Sequence, residues 1–415
     1  MKKIGVLLSS LSCKKYLYDT LEELALTKQV EFFFLINKKQ RTRNGLLDKI
    51  KFALQRKGLS RTIELILFKV ISILEYAILS SYFKVVKELK EMRDLKKFDI
   101  SKTIFLEPLF SKSGIFVEYS NEDISNIKHL NLDIIIRGNA PGIFRGNMLS
   151  SSKKGIISFH HGDNRWNRGS PPGFWEVYLR LPSTGFVIQI LTEKLDGGLV
   201  LFRGNVPTKR SFTENMANIF NISNPYLAKV IIDYIKNDSL PPFERKKPFN
   251  NKILLIPSLI KSILYVFKTF NLYFKEIIQK RILKQPYKWH VAFAQKSWDE
   301  ADLKEGTKIK NIPNHFFAGP FIVKKNNRNI CYVEDYSYLN KKGCITAIEI
   351  MDEKNYEILG PVIKEKYHMS FPFIFEYSKK LYMIPETLEA EAIRLYECTE
   401  YPLKWKYKKD LMSLQ

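Results

Sequence analysis

The sequence predicts an α/β fold, a doubly wound and mostly parallel sheet with helical insertions, followed by a separate all-β module. Three observations carry that prediction. Short β-branched apolar runs alternate with helical patterns up to Phe243, a long helical stretch interrupts them, and after Pro286 the texture changes to alternating strands punctuated by Gly, Pro and Asn. With 415 residues, 45% hydrophobic and 27% charged, the chain can bury a substantial core, which excludes disordered, collagen-like and disulfide-scaffold classes.

The elements follow in order. Lys3 to Leu8 and Val30 to Ile36 read as buried strands flanking a helix from Tyr16 to Leu26, a βαβ opening. The start MKKIGVLLSSLSC has the outline of a short signal peptide, yet Lys14 and Lys15 follow its brief apolar run directly, so a buried first strand is the better reading. No GxGxxG follows that strand; the turn is Ser9-Ser10-Leu11-Ser12, which gives a dinucleotide site little support. A helical insertion is expected over about 45–98, with Glu64, Lys69 and Glu75 interrupting its apolar centre and arguing against a membrane span. Ile115 to Glu118, Asp133 to Arg137 and Gly155 to Phe159 read as parallel strands. A hairpin-like pair (Gly185 to Thr192, Leu199 to Gly204) and a helix from Thr213 to Lys236 close a first domain, 1–244. Residues 245–286 form a basic helical linker, with an apolar helix from Ile253 to Ile278, and 287–415 form the β module, in which the similar segments AGPFIV and SFPFIF suggest a blade repeat.

Net charge is +24, with 67 Lys+Arg against 43 Asp+Glu. Between Arg245 and Lys288 eleven basic residues face one acid, Glu276. Lys261, Lys268 and Lys275 recur every seven residues and so form one stripe on an apolar helix. Two readings stay open for 253–278: a peripheral membrane contact, and an interdomain or dimer helix with a solvated lysine edge. No nucleic-acid partner is expected, and a homo-oligomer stays open. The four cysteines lack the close spacing that zinc needs and suit a reduced, cytoplasmic chain, with peripheral attachment to the inner membrane face as a variant of that setting.

The chemistry concentrates between Gly155 and Gly204. A strand delivers His160 at its carboxyl end, where doubly wound sheets place ligands, and a Gly/Pro-rich loop with Asn164, Arg168, Gly169 and Pro172 follows. Further on, a turn presents Asp196 beside Leu195 and two glycines; a carboxylate next to an imidazole makes an acid/base unit. Strand alternation points His161 away from His160, and Trp166 and Trp175 suit either packing or stacking. In order and spacing, Ser158-Phe159-His160, Arg168-Gly169-Ser170-Pro171-Pro172, Thr184-Gly185 and Leu195-Asp196-Gly197-Gly198 resemble the formyltransferase family that includes glycinamide ribonucleotide, methionyl-tRNA and sugar N-formyltransferases. The resemblance covers about residues 1–240.

That resemblance implies a folate-dependent N-formyltransferase that takes its formyl group from 10-formyltetrahydrofolate, with no metal. The catalytic residues would be His160, Asp196 and Ser158, the last standing where the family has an oxyanion-donating Asn. The donor would be held by Arg137, Gly138, Asn139, Ala140, Gly142, Phe144 and Leu195, and a small amine substrate by Asn164, Arg168, Gly169 and Pro172. The β module resembles the opening blades of a furanosidase-type five-bladed propeller and is similar to the N-terminal part of glucosamine inositolphosphorylceramide transferase, which points to an amino-sugar or glycan acceptor. Where a glycosidase of that fold has Ala-Asp-Pro-Phe, this chain has Ala318-Gly319-Pro320-Phe321, so Glu386 is read as structural. A catalytically degenerate glycan- or nucleotide-sugar-binding protein on the same fold, or a membrane-surface scaffold, is the alternative.

Overall fold

The computed structural model describes residues 1–38, 46–111, 114–166, 168–194, 197–244, 253–282, 289–297, 301 and 305–413. Contacts divide the chain into two compact units, Met1–Glu276 and Ile277–Gln415.

The first unit is organised by a seven-stranded sheet. Its strands are β1 (Lys2–Leu8), β2 (Val30–Asn37), β3 (Thr103–Leu106), β4 (Ile134–Arg137), β5 (Ile156–His160), β6 (Ser183–Ile190) and β7 (Leu199–Pro207), in the spatial order β7-β6-β5-β4-β1-β2-β3. β5, β4, β1, β2 and β3 are parallel neighbours; β6 and β7 are antiparallel additions. β1 is an unbroken apolar run because both of its faces are covered. Ile4, Val6 and Leu8 pack with Leu17, Leu21 and Leu24 of α1 (Lys15–Leu26) and with Leu227 and Tyr234 of α5 (Phe212–Asn237). Leu7 packs on the other side with Ile124 and Ile127 of α3 (Asn121–His129). The buried residues of α1, Leu17, Thr20, Leu21 and Leu24, repeat with helical spacing, which fixes the face that meets the sheet.

Three expectations need correction. Phe116–Glu118 is absent from the main sheet and pairs instead with Leu109–Phe110 and Ile143–Phe144. Of that stretch only Val117 is buried, too little apolar surface for a central strand, and the short run Thr103–Leu106 takes the edge beside Phe34–Asn37. Among the described residues the insertion is α-helical as α2 (Leu46–Leu79), broken at Gly58 (φ 77°), and as Lys84–Glu88; Met92–Asp94 then pairs with Ser12–Lys14, and Leu95–Lys97 adds one 3-10 turn. The apolar helix begins late, as α6 (Leu259–Ile277). Pro257 disfavours helical backbone at the residue before it, and upstream Ile253–Leu254 runs as a strand against Arg168–Gly169. Gly169 has φ 120°, and a Cβ there would lie 2.0 Å from the Leu254 carbonyl oxygen, so this crossing needs glycine. A short helix, α4 (Phe174–Leu179), packs Phe174 and Trp175 against Phe68 of α2 and Tyr265 of α6. No helix among the described residues is long and apolar enough to cross a membrane.

The second unit contains two successive four-stranded antiparallel meanders. The first is β8 (His315–Lys325), β9 (Arg328–Ser337), β10 (Lys342–Ile350) and β11 (Tyr356–Ile363). The second is β12 (Ser370–Tyr377), β13 (Lys380–Glu386), β14 (Ala392–Glu400) and β15 (Lys404–Ser413). One core joins them, with Ile330, Tyr332 and Ala347 of the first against Met383, Tyr396 and Trp405 of the second. The internal similarity is structural: the register slips between Ala318 and Phe321 and between Ser370 and Phe373, and in each case a left-handed residue, Gly319 (φ 52°) or Phe371 (φ 45°), precedes the proline.

Candidate functional site

The chain runs outward from β1 to β2 and β3, then returns to place β4 on the opposite side of β1. Loops leaving the carboxyl ends of β1 and β4 are therefore carried in opposite directions, and a crevice opens between them. A cavity of about 320 Å³ sits there, at the low end of the range for small-molecule clefts. Its walls come from Lys14, Tyr16 and Leu17 around the start of α1, and from Arg137, Gly138, Asn139 and Ala140 at the end of β4. Ser158, Phe159 and His161 at the end of β5, and Phe220, Asn224 and Leu227 of α5, complete them.

Backbone geometry explains the β4 segment. The Gly138 amide donates to the Leu7 carbonyl at 2.9 Å, and a Cβ on it would lie 2.4 Å from Leu8 Cδ2. Asn139 Oδ1 accepts the Ser9 amide at 2.9 Å, tying the loop after β4 to the loop after β1. Arg137 Nη2 donates to the Gly142 carbonyl at 2.7 Å, and the guanidinium lies 5.1 Å from the Phe144 ring centroid. Gly142 and Phe144, expected to touch a ligand, therefore anchor Arg137, and Phe144 is buried in the core beneath the sheet.

Ser158 is buried in the wall, and its hydroxyl donates to the carbonyl of Phe159 at 3.2 Å. His160 closes β5, half-buried and opposite Val187, and is not among the cavity-lining residues. His161 is. Its ring stacks between Phe159 (4.8 Å) and Phe220 (4.0 Å), with Nε2 3.3 Å from the Ser223 hydroxyl. Burial, aided by the neighbouring His160, pushes its pKa down to about 3, so the ring is neutral at pH 7. Tyr16 packs its ring against Phe220 at 5.0 Å; burial, with a smaller contribution from Cys13, pushes its phenol up to about 12 and keeps the hydroxyl a neutral donor. Asp196 and Leu195 lie outside the described residues.

The loop after β5 is held by a buried ion-pair network that sequence reading missed. Asp163, 1% exposed, is met by Arg165 Nη2 at 2.8 Å and by Arg203 Nη1 of β7 at 2.6 Å, and Arg203 reaches on to Glu244 at 2.7 Å. Burial opposes ionisation of Asp163, yet the Arg165 hydrogen bond and the charges of Arg203 and Arg165 prevail and hold the carboxyl below its ordinary range. Asn164 is fully buried, its Oδ1 accepting from Arg203 at 3.0 Å, while its amide nitrogen has no partner among the described residues. Asn164, Arg168, Gly169 and Pro172, expected around the amine, do not line the cavity. Glu386 accepts the Ser370 hydroxyl at 2.7 Å across the β12–β13 pair, in keeping with a structural place.

The neutral state of His161 has a measurable consequence. Below about pH 6.5 the unfolded chain gains a proton that folded His161 refuses until about pH 3, so acid costs the folded state stability. His161→Phe, which keeps the aromatic stack, is expected to lessen the shift in urea midpoint between about pH 7 and about pH 5.

Fold and cleft together define the first unit as a doubly wound α/β domain with a small-molecule crevice at its strand-order reversal. Residues 304–415 match the family model described as Glucosamine inositolphosphorylceramide transferase 1, N-terminal. The chain is 33% identical over 103 residues to glucosamine inositolphosphorylceramide transferase 1 of Arabidopsis thaliana and 32% identical over 102 residues to that of Oryza sativa subsp. indica, covering 25% and 24% of this chain. It spans 14% of the length of these curated relatives. Among solved structures, the chain is similar to a sugar N-formyltransferase from Shewanella sp FDAARGOS_354, with 12% identity, 65% of this chain and 88% of that chain covered, and a TM-score of 0.37. It is also similar to glycinamide ribonucleotide transformylase 1 from Symbiobacterium toebii, with 11% identity, 57% and 89% covered, and a TM-score of 0.35.

Proposed function

We propose that the first unit is a folate-dependent N-formyltransferase that moves a formyl group from 10-formyltetrahydrofolate to an amine on an amino sugar or glycan precursor. The observation that carries this reading is convergence. Arg137 to Ala140, Ser158 and the aromatic walls of Tyr16, Phe159 and Phe220 surround one cavity, while His160 ends the strand that supplies Ser158. The chemistry of the walls fits a flat heteroaromatic donor: rings offer stacking and the Tyr16 hydroxyl offers a hydrogen bond.

The donor supplies an activated formyl carbon. The attacking amine nitrogen bonds to that carbon as the bond to the folate nitrogen breaks. In this reading His160 takes the proton the amine sheds and returns it to the departing nitrogen, leaving the step proton-neutral, and Asp196 orients the imidazole and balances the positive charge it carries between the two transfers. Ser158 turns its hydroxyl from the Phe159 carbonyl to the formyl oxygen as charge builds there. The relatives' name, which speaks of glucosamine, supports the amino-sugar acceptor. The second unit is proposed as part of a propeller, its two meanders standing as blades. The described cysteines are all free, which suits the cytoplasmic setting proposed.

A second reading, a binding protein on a degenerate cleft, draws on one observation: the Ser158 hydroxyl is a shorter donor than an amide and is engaged by its neighbour's carbonyl. Single-turnover assays with 10-formyltetrahydrofolate and a panel of amino sugars separate the two. The expected result is transfer by the wild type, preserved or raised in Ser158→Asn, whose longer amide reaches toward the formyl oxygen. Absence of transfer by both, with sugar affinity retained in calorimetry, would overturn the enzyme reading.

A further inference from the structure

Two helices of the first unit are amphipathic in the inverted sense. On α6 the side turned toward the protein is polar or aromatic: Ser262, Tyr265 and Thr269 are buried, and Glu276 pairs with Arg210 at 2.6 Å. The outward side is apolar, with Ile260, Ile263, Phe267, Phe270 and Phe274 at helical spacing and Phe267 and Phe270 68% and 66% exposed. On α2 the inward seam is Thr62, Phe68, Ile71, Glu75 and Leu79, and the outward side again is apolar: Leu59, Ile63, Val70, Leu74 and Ile78. One network braces both helices. The Tyr265 hydroxyl donates to Glu75, Glu75 Oε2 accepts the Thr213 amide at 2.9 Å, and Tyr265 oxygen accepts the Phe212 amide at 2.7 Å, at the start of α5. Polar groups are thus spent on holding the helices, and large apolar side chains are left facing water, an arrangement a soluble monomer rarely carries.

Charge selects the occupant. Lys261, Lys268 and Lys275 fall on the flank of α6 between its buried and exposed apolar sides, and the first two lie over the rings of Trp175 and Tyr178 at 5.2 and 4.3 Å. The described carboxylates of these helices are engaged: Glu64 with Arg61, Glu75 in the network and Glu276 with Arg210. An apolar face rimmed by cations, with aromatic rings beside them, complements the acyl and phosphate layers of an anionic bilayer. A second copy of the same face would instead set lysine stripe against lysine stripe.

We infer that α2 and α6 form an in-plane docking face for an anionic phospholipid membrane. The test is flotation of the full chain with vesicles of phosphatidylcholine alone or mixed with phosphatidylglycerol. The wild type is expected to float with the mixed vesicles and far less with the neutral ones. Lys268→Gln combined with Lys275→Gln is expected to weaken the mixed-vesicle partition by roughly thirtyfold. Phe267→Glu with Phe270→Glu, or Ile78→Glu alone, is expected to abolish flotation while circular dichroism shows an intact fold. A wild type that stays at the bottom of the gradient overturns the proposal. So does a dimer in light scattering that the Phe267→Glu, Phe270→Glu variant dissociates, because the face would then belong to a second copy.

Discussion

Replacing His160 with alanine is expected to lower kcat for formyl transfer by ~10²–10⁴-fold, the span typical of a positioned acid/base group. The Michaelis constant for the amine is expected to change little, because His160 lies at a strand end beside the cavity and not in its wall. Stability should hold as well: the side chain is half-buried at the border of the sheet, outside the cluster formed by Ile157 and Ile188. His161→Phe is the control. That ring is packed between Phe159 and Phe220 and is neutral near pH 7, so its replacement should change the acid sensitivity of folding far more than the rate. Comparison of kcat and pH–rate profiles for the two variants is the measurement. Turnover at the wild-type level in His160→Ala would remove this residue from the mechanism, and loss confined to His161→Phe would move the proton-handling role one residue along the chain.

The parts of the fold legible in the sequence are those in which local pattern and burial agree. β1 and β2 are continuous apolar runs because helices cover both of their faces. The twofold repeat of the second unit was legible because the same residue order, a residue in left-handed conformation followed by proline, makes the same bulge twice. Phe116–Glu118 was misplaced because an apolar triplet says nothing about which sheet it joins, and the four residues of β3 carry too little pattern to compete. Of the residues that line the cavity, Arg137 to Ala140 and Ser158 are ones the family resemblance names. Phe220, Asn224 and Leu227 could have been read from the sequence, since their spacing puts them on one face of α5. His161 could not: alternation predicts that it turns away from His160, which leaves open that the far side of the strand end is the cavity. Nor could the Asp163–Arg203 pair, which joins residues 40 positions apart; only the oddity of an arginine inside the apolar run LVLFRG hinted at a buried partner.

That pair supplies the largest expected effect on stability. Asp163 is 1% exposed and receives hydrogen bonds from Arg165, in its own loop, and from Arg203, on the edge strand β7, so one carboxylate fastens the loop after His161 to the sheet. Asp163→Ala leaves the Arg203 side chain, 11% exposed, with Asn164 and the partly exposed Glu244 as its remaining described partners. Removing one member of a buried pair costs about 3–5 kcal/mol when the other is left uncompensated; Arg203 keeps Glu244 and Asn164, which places the expected loss at or below the lower end of that span. Chemical denaturation should show that loss as a lower midpoint with an unchanged slope. The pH dependence follows from the depressed folded pKa. The stability Asp163 contributes is fully present above the unfolded carboxyl value of about 3.9 and is lost as pH falls through the lower folded value. The gap between wild type and variant should therefore stay constant from neutrality down to about pH 5 and close only in stronger acid. Pairing Asp163→Ala with Arg203→Met removes both members of the pair, and the double variant is expected to be more stable than the sum of the single losses predicts. Strict additivity would mean that the two side chains do not share the loop's anchoring, and the carboxylate would then act through Arg165 alone.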